Sequence, residues 1–232
     1  MGRVVRALTV DRLDDLVPPC RACRFWELTP VQARWAGGPG SPLRDPKRGW
    51  LTSVLLEWGT PGRVVYVDDT PAGYLTYAPA PLVPRAVAFP TTPVSVDAVL
   101  LITARVSPQY AGQGLGRVLI QSAAKDLLRR RLRAIEVFAA TNHSGDSIGG
   151  STADRGGDHQ DAAGGGGCLL PVDFLTAVGF HTVRDHATFP RLRLDLRTAL
   201  RWRVEVEHAV ERLFTPLRGL GVPPPVGTAN RE

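Results

Sequence analysis

Apolar and polar positions alternate along this chain with two periods. "RVVRALTV" reads as a first strand, and "DRLDDL" after it as a helical turn with Asp11 in the N-cap position. In "PKRGWLTSVLLEWG", Trp50, Val54 and Trp58 recur at spacing four with Gly59 beyond them, which predicts a helix with a glycine stop. "RVVYVDD" and "AGYLTYAP" flank Asp69-Thr70-Pro71 and predict a hairpin. "DAVLLITARV" is apolar on both sides, as a strand buried in the middle of a sheet must be. From Gly114 to Arg131 the period turns helical: Leu115, Val118, Leu119, Ala123 and Leu127 share a stripe, opposite Arg117, Gln121, Lys125 and Arg129. "RAIEVFAA" is a further strand. Strand, glycine turn, helix and strand make a βαβ unit with a right-handed crossover.

The pattern breaks at residues 141–167, where glycine, serine and aspartate dominate and nothing is periodic. Such a segment cannot bury enough apolar surface to offset its ordering entropy, which predicts a flexible, solvated insertion. His143 and His159 fall inside it with no rigid element to align them as metal ligands. Order returns with "LPVDFLTAVGF", a short helix stopped by Gly179, then "HTVRDHATFP" and "RLRLDL" as strands. "RTALRWRVEVEHAVERLF" predicts an amphipathic helix whose stripe of Leu200, Val204, Ala209 and Leu213 could support a homodimer; a proline-rich tail follows.

Composition narrows the class. The 232 residues carry a net charge of +6, almost wholly from arginine, since Lys47 and Lys125 are the only lysines. No basic stretch is interleaved with aromatics, so nucleic acid is not an expected partner. No run approaches the roughly 20 apolar residues of a membrane span, and charges interrupt the N-terminal apolar run, unlike a signal peptide. Three cysteines, an odd number, point to a reducing compartment, the cytoplasm by default. Cys20 and Cys23 have C-x-x-C spacing, but Cys168 is the only further thiol. No metal is expected, and buried thiols beside Phe25 and Trp26 are the favoured reading.

The densest chemical signal is "VSPQYAGQGLGRVLI". Gly112, Gly114 and Gly116 are expected to permit positive φ and to clear Cβ atoms from a ligand's path. The helix that follows offers free amides and a positive dipole end, together an anion site for a phosphate or pyrophosphate. A nucleotide-hydrolysing Walker loop would need lysine after the last glycine, where Arg117 stands. A dinucleotide fingerprint would need glycine at position 117 and a suitably placed acidic residue after it. The pyrophosphate of coenzyme A remains.

"ARVSPQYAGQGLGRVLI" resembles the acyl-CoA motif of the GNAT superfamily of N-acetyltransferases, near V-x-P-x-Y-R/Q-G-x-G-x-G-x-x-L. It matches at Val106, Pro108, Tyr110, Gly112, Gly114, Gly116 and Leu119 and departs at Ala111, where a side-chain contact would be lost. "FLTAVGF" is similar to the family's later Y-x-x-x-G-F. The resemblance implies an α/β fold: a GNAT-like mixed central sheet flanked by helices, with a splayed motif-bearing strand. It implies a domain over 1–196, with the insertion at 141–167 and a C-terminal helix and tail over 197–232. The expected co-substrate is acetyl-CoA or another acyl-CoA, met by Ala104, Arg105 and Val106 on the strand. Ala111, Gly112, Gln113, Gly114, Leu115, Gly116 and Arg117 meet its pyrophosphate.

The implied reaction is attack of a neutral amine, on a small molecule or protein, on the thioester, with a backbone amide near Val106 polarising the carbonyl. The family's frequent acid, a tyrosine four residues before the glycine of GF, is Leu175 here, beside Phe174. The asparagine often found upstream is replaced by "CLLP", and Asn142 lies across the insertion. Asp97 and Glu136 are candidate bases acting through water; equally, Asp97 reads as a strand-start residue and Glu136 as a surface partner for arginine. Cys168 is a candidate acyl-carrying nucleophile. Without the tyrosine, a catalytically weakened acyl-CoA-binding sensor or interaction module is the alternative. Trp26, Trp35 and Trp50 bracket the segment that borders the family's acceptor pocket, or else pack helices onto the sheet.

Overall fold

The motif strand sits at the middle of one continuous sheet. The computed structural model describes residues 2–16, 20–35, 45–141 and 168–200. Most of the insertion, the Trp35 side chain, Asn142, His143, His159 and the stripe beyond Leu200 lie outside the described residues. The strands are β1 (Arg3–Ala7), β2 (Gly62–Val67), β3 (Thr70–Ala78), β4 (Ala98–Val106), β5 (Ala134–Ala140), β6 (Leu170–Pro171), β7 (His181–Arg184) and β8 (Arg191–Asp195). The helices are α1 (Pro30–Trp35), α2 (Pro46–Glu57), α3 (Leu115–Arg129) and α4 (Val172–Ala177). Strand order is β1-β2-β3-β4-β5-β8-β7, with the two-residue β6 pairing β5 beside this path. All neighbours are antiparallel except β4–β5 and β5–β6.

Local chemistry accounts for the elements. Asp45 caps α2 by accepting the Arg48 N–H at 3.0 Å, and Gly59, at φ 110, ends it. The β2–β3 hairpin turns at Asp68 and Asp69, with φ 47 and 61, and Thr70 already belongs to β3. The turn therefore falls one residue earlier than Asp69-Thr70-Pro71, because consecutive aspartates tolerate the left-handed region a tight hairpin needs. Asp11 is likewise not the cap: Thr9 occupies that position, without a side-chain bond, and Asp11 lies inside a 3-10 turn over Val10–Asp15.

The stripe on α3 is buried through Leu115, Leu119, Ala123 and Leu127, joined by Ile120 and Ala124, while Val118 at its edge stays half-buried. It packs on β2, β3 and β4. Asp126 fixes this docking by pairing with Arg63 of β2 at 2.8 Å and accepting from the Tyr77 hydroxyl of β3 at 3.1 Å. On the other face, Trp26, Val54, Phe89, Leu100, Ile102 and Phe138 form a core in which Phe89 stacks on Phe138 at 4.4 Å and on Trp26 at 5.3 Å. Trp26 thus packs the core.

Candidate functional site

Strands β4 and β5 pair over only three positions, Ala98↔Ala134, Val99↔Ile135 and Leu100↔Glu136. Beyond Leu100 they part. β5 continues against β8 and, at Ala139 and Ala140, against β6, whereas β4 stays with β3 out to Gly73↔Val106. The register of β3 and β4 shifts between Thr76 and Tyr77, so a bulge falls where the opening begins. A Cβ on Gly73 would lie 2.7 Å from the Arg105 carbonyl oxygen, so glycine lets β3 carry the far end of β4. The result is a wedge, bounded on one side by backbone of Ala104, Arg105 and Val106.

The glycine turn sits at the wide end. Ser107 N–H donates to the Ala72 carbonyl at 2.8 Å, and a 3-10 turn over Pro108–Tyr110 leads into it. Gly112 and Gly114 have φ 74 and 75. A Cβ at either would meet nothing within 4 Å, so backbone conformation, not lack of room, requires glycine there. Gly116 differs from expectation: it lies in the first turn of α3 without positive φ, and a Cβ there would meet only the Phe174 ring, 3.6 Å away. Helical geometry supplies what the third glycine was expected to supply.

Gly114 caps α3 without any side-chain bond, and Val118 N–H to the Gly114 carbonyl, at 3.2 Å, begins the helical ladder. The amides of Leu115, Gly116 and Arg117 precede that bond, at the positive end of a 15-residue helix. Ala111, Gly112 and Arg117 are exposed and Gln113 half-buried, which leaves the turn open to a ligand. A helix start of this kind has the chemistry of an anion site.

The acidic candidates lie elsewhere. Asp97 precedes β4, about 30 Å of strand away from Val106. Its two oxygens accept from Arg193 at 3.0 and 2.9 Å, and that guanidinium holds its carboxyl below the usual carboxylate range. Glu136 is completely buried rather than a surface residue. It accepts from Arg193 at 3.1 Å and from the Ser95 N–H at 3.1 Å, and pairs with Arg191 at 3.3 Å as an ion pair without hydrogen-bond alignment. Asp97 and Glu136 thus share one arginine at the closed end of the wedge. Leu175 is fully buried and Phe174 half-exposed beside Gly116, so α4 presents no acid from either position.

On the other side of the sheet from α3, a cleft of about 580 Å³ is lined by Glu27, Gln32, Asp45, Trp50, Glu57 and Leu82 among others. Trp50 is fixed there by donating its Nε1–H to the Leu82 carbonyl at 2.7 Å. Glu27 is 6% exposed; one oxygen pairs with Lys47, and the other is buried with no hydrogen-bond partner among the described residues. The Tyr74 hydroxyl is buried near Cys20 and Thr103 without a well-aligned hydrogen bond, and burial pushes its pKa up. Glu27 and Tyr74 stand in no motif; only an isolated charge or phenol in an apolar run marks them in the sequence. The thiols regroup as well. Cys20 is buried against Leu8, Leu51 and Tyr74, whereas Cys23 faces Cys168 rather than Cys20.

A splayed parallel strand pair with a glycine-capped helix at its mouth defines the acetyltransferase class of this fold. The chain belongs to the GNAT family: the model of the "Acetyltransferase (GNAT) family" matches residues 30–147. No curated protein matches the sequence. Among solved structures, it is similar to the PaiA N-acetyltransferase of Thermoplasma acidophilum in complex with coenzyme A, at 10% identity and TM-score 0.47, covering 84% of this chain and 99% of that one. It is also similar to an N-acetyltransferase from Staphylococcus aureus (11%, TM-score 0.47, 84% and 99%). A third is the loading GNATL domain of CurA from Lyngbya majuscula (10%, TM-score 0.47, 85% and 100%). Likenesses at this level carry no argument about substrate. Among the described residues, no helix is long and apolar enough to cross a membrane, and no group of three or more His, Cys, Asp or Glu side chains could hold a metal.

Proposed function

We propose that this protein transfers an acyl group, most simply acetyl, from an acyl-CoA to a primary amine on a small molecule or protein. The observation that carries this reading is the coincidence of two features: the wedge opening after Leu100, and the glycine-capped start of α3 at its mouth. The pyrophosphate would bind at the turn from Gly112 to Arg117, where the helix dipole and the first-turn N–H groups of α3 act together. Ala111, at the position where the family usually has arginine or glutamine, then costs one contact and leaves the cradle intact. The pantetheine arm would satisfy backbone groups of Ala104 to Val106, and an amide near Val106 would polarise the thioester carbonyl.

The acceptor amine would enter from the cleft lined by Glu27 and Trp50, where carboxylates favour a cationic group before its deprotonation. Asp97 and Glu136 serve the closed end as arginine partners and take no part in proton transfer. The free cysteines support a reducing, cytoplasmic setting. The domain would span residues 1–196, with the 141–167 segment inserted between β5 and β6. A second reading is favoured by the buried Leu175: without an acid on α4, the protein would bind acyl-CoA with little turnover. Thiolate is a tolerable leaving group near neutral pH, which keeps transfer feasible without that acid. Thiol release from acetyl-CoA over a panel of amines separates the readings. Acceptor-dependent release supports the transferase; CoA binding without it supports the sensor.

A further inference from the structure

The transfer proposed above, with direct attack of the amine on the thioester, assigns the thiols no role, yet two of them are held together. Cys23 lies in the turn region ahead of α1, and Cys168 immediately precedes β6. They are 145 positions apart in sequence, and their Sγ atoms approach to 3.1 Å. Both are free and half-buried, so a small solute can reach them. Their backbones are already tied, because Trp26 Nε1–H donates to the Cys168 carbonyl at 3.2 Å. A disulfide requires about 1 Å of further approach, within reach of side-chain rotation. Cys20, 5% exposed in its apolar cluster, is the poorly accessible third thiol.

The pair is chemically unequal. The contact with Cys168, with the Phe25 N–H and the Lys47 ammonium, outweighs burial and the Glu27 charge and draws the Cys23 thiol below its ordinary value. The same contact and burial push Cys168 up. Two sulfurs in contact, one drawn toward the thiolate by its neighbour, are placed as a reactive and a resolving cysteine must be.

We propose that Cys23 and Cys168 form a modification site for hydroperoxides, closing to a reversible disulfide. The Cys23 thiolate attacks the peroxide: an S–O bond forms, the O–O bond breaks, and water or an alcohol leaves after taking up a proton. The sulfenic acid on Cys23 is then attacked by Cys168, which gives up its proton; S–S forms, S–O breaks, and a second water leaves. Two thiols lose two electrons and the peroxide gains them. The bond joins the Trp26 segment to the start of β6, next to the wide end of the wedge, where the Arg105 charge also reaches Cys168.

The test is to treat the native full chain with hydrogen peroxide, block the remaining thiols and map the peptides. Expected is a fall from three free thiols to one, a Cys23–Cys168 linked peptide and reversal by dithiothreitol. Closing so long a loop should also raise Tm by about 5 °C or more. In Cys168→Ser, Cys23 should stop at a sulfenic acid that dimedone traps. A Cys20–Cys23 link, thiol oxidation no faster than that of free cysteine, or no oxidation would overturn the proposal. Should Cys168→Ser fail to fold, the wild-type peptide map decides alone. None of these readouts involves acyl transfer.

Discussion

The β4–β5 pair has two ends built on opposite principles. At the closed end, Arg193 bridges Asp97 and Glu136, Arg191 adds an ion pair to Glu136, and three paired positions hold the strands together. At the open end the strands separate, and the chemistry is left to backbone: amides at the start of α3 and the free side of β4. Charged side chains, the usual mark of an active site, here fasten the sheet. The open end carries two glycines held at positive φ, Gly112 and Gly114. A perturbed acid points to function only when it faces a cleft, and Asp97 faces an arginine.

The contrast can be broken most severely at Glu136. Glu136→Gln leaves Arg191 and Arg193 facing a neutral amide in a fully buried position. Stability should fall by about 3–5 kcal/mol, lowering Tm by about 10 °C in a calorimetric scan, while CoA affinity of the folded fraction stays unchanged. At the open end, Gly114→Ala should cost about 1–2 kcal/mol from the left-handed conformation alone, read by denaturant titration, even though the added methyl meets nothing. A loss as large as that of Glu136→Gln would mean that the turn is a packing element.

A pH titration sharpens the closed end. Arg193 lowers the folded pKa of Asp97, so the pair's contribution is fully present above the unfolded value of about 4 and fades as pH falls through the lowered folded value. With the Asp97 side chain 35% exposed, the effect should stay under about 1 kcal/mol. Asp97→Asn should remove that part of the acid dependence in stability measured between pH 2 and 5. Smallest of all, Gly116→Ala should change stability by less than about 0.5 kcal/mol, since its methyl makes an ordinary contact with Phe174.

The glycine turn was legible because it is local: a strand run, a cluster of glycines and a helical stripe lie within thirty positions. The family resemblance carried the splay, which no pattern in β4 or β5 announces. What sequence order hid were the long-range meetings. Arg193 reaches Asp97 and Glu136 only because β8 pairs antiparallel with β5, and Cys23 meets Cys168 across most of the chain. Spacing made Cys20 and Cys23 look like a pair, yet the fold turns them to different neighbours. Likewise Glu136 reads as a surface residue until the strand on its other side is known, and Gly116 reads as a turn residue until the helix start is fixed.

Calorimetric titration of the protein with CoA, in wild type and in Gly114→Asp, tests the backbone cradle most directly. The predicted result is one CoA per chain, with affinity reduced at least about 100-fold when a carboxylate and a strained backbone replace the glycine. Equal affinity in the two proteins, or no binding heat in wild type across temperatures, would contradict it.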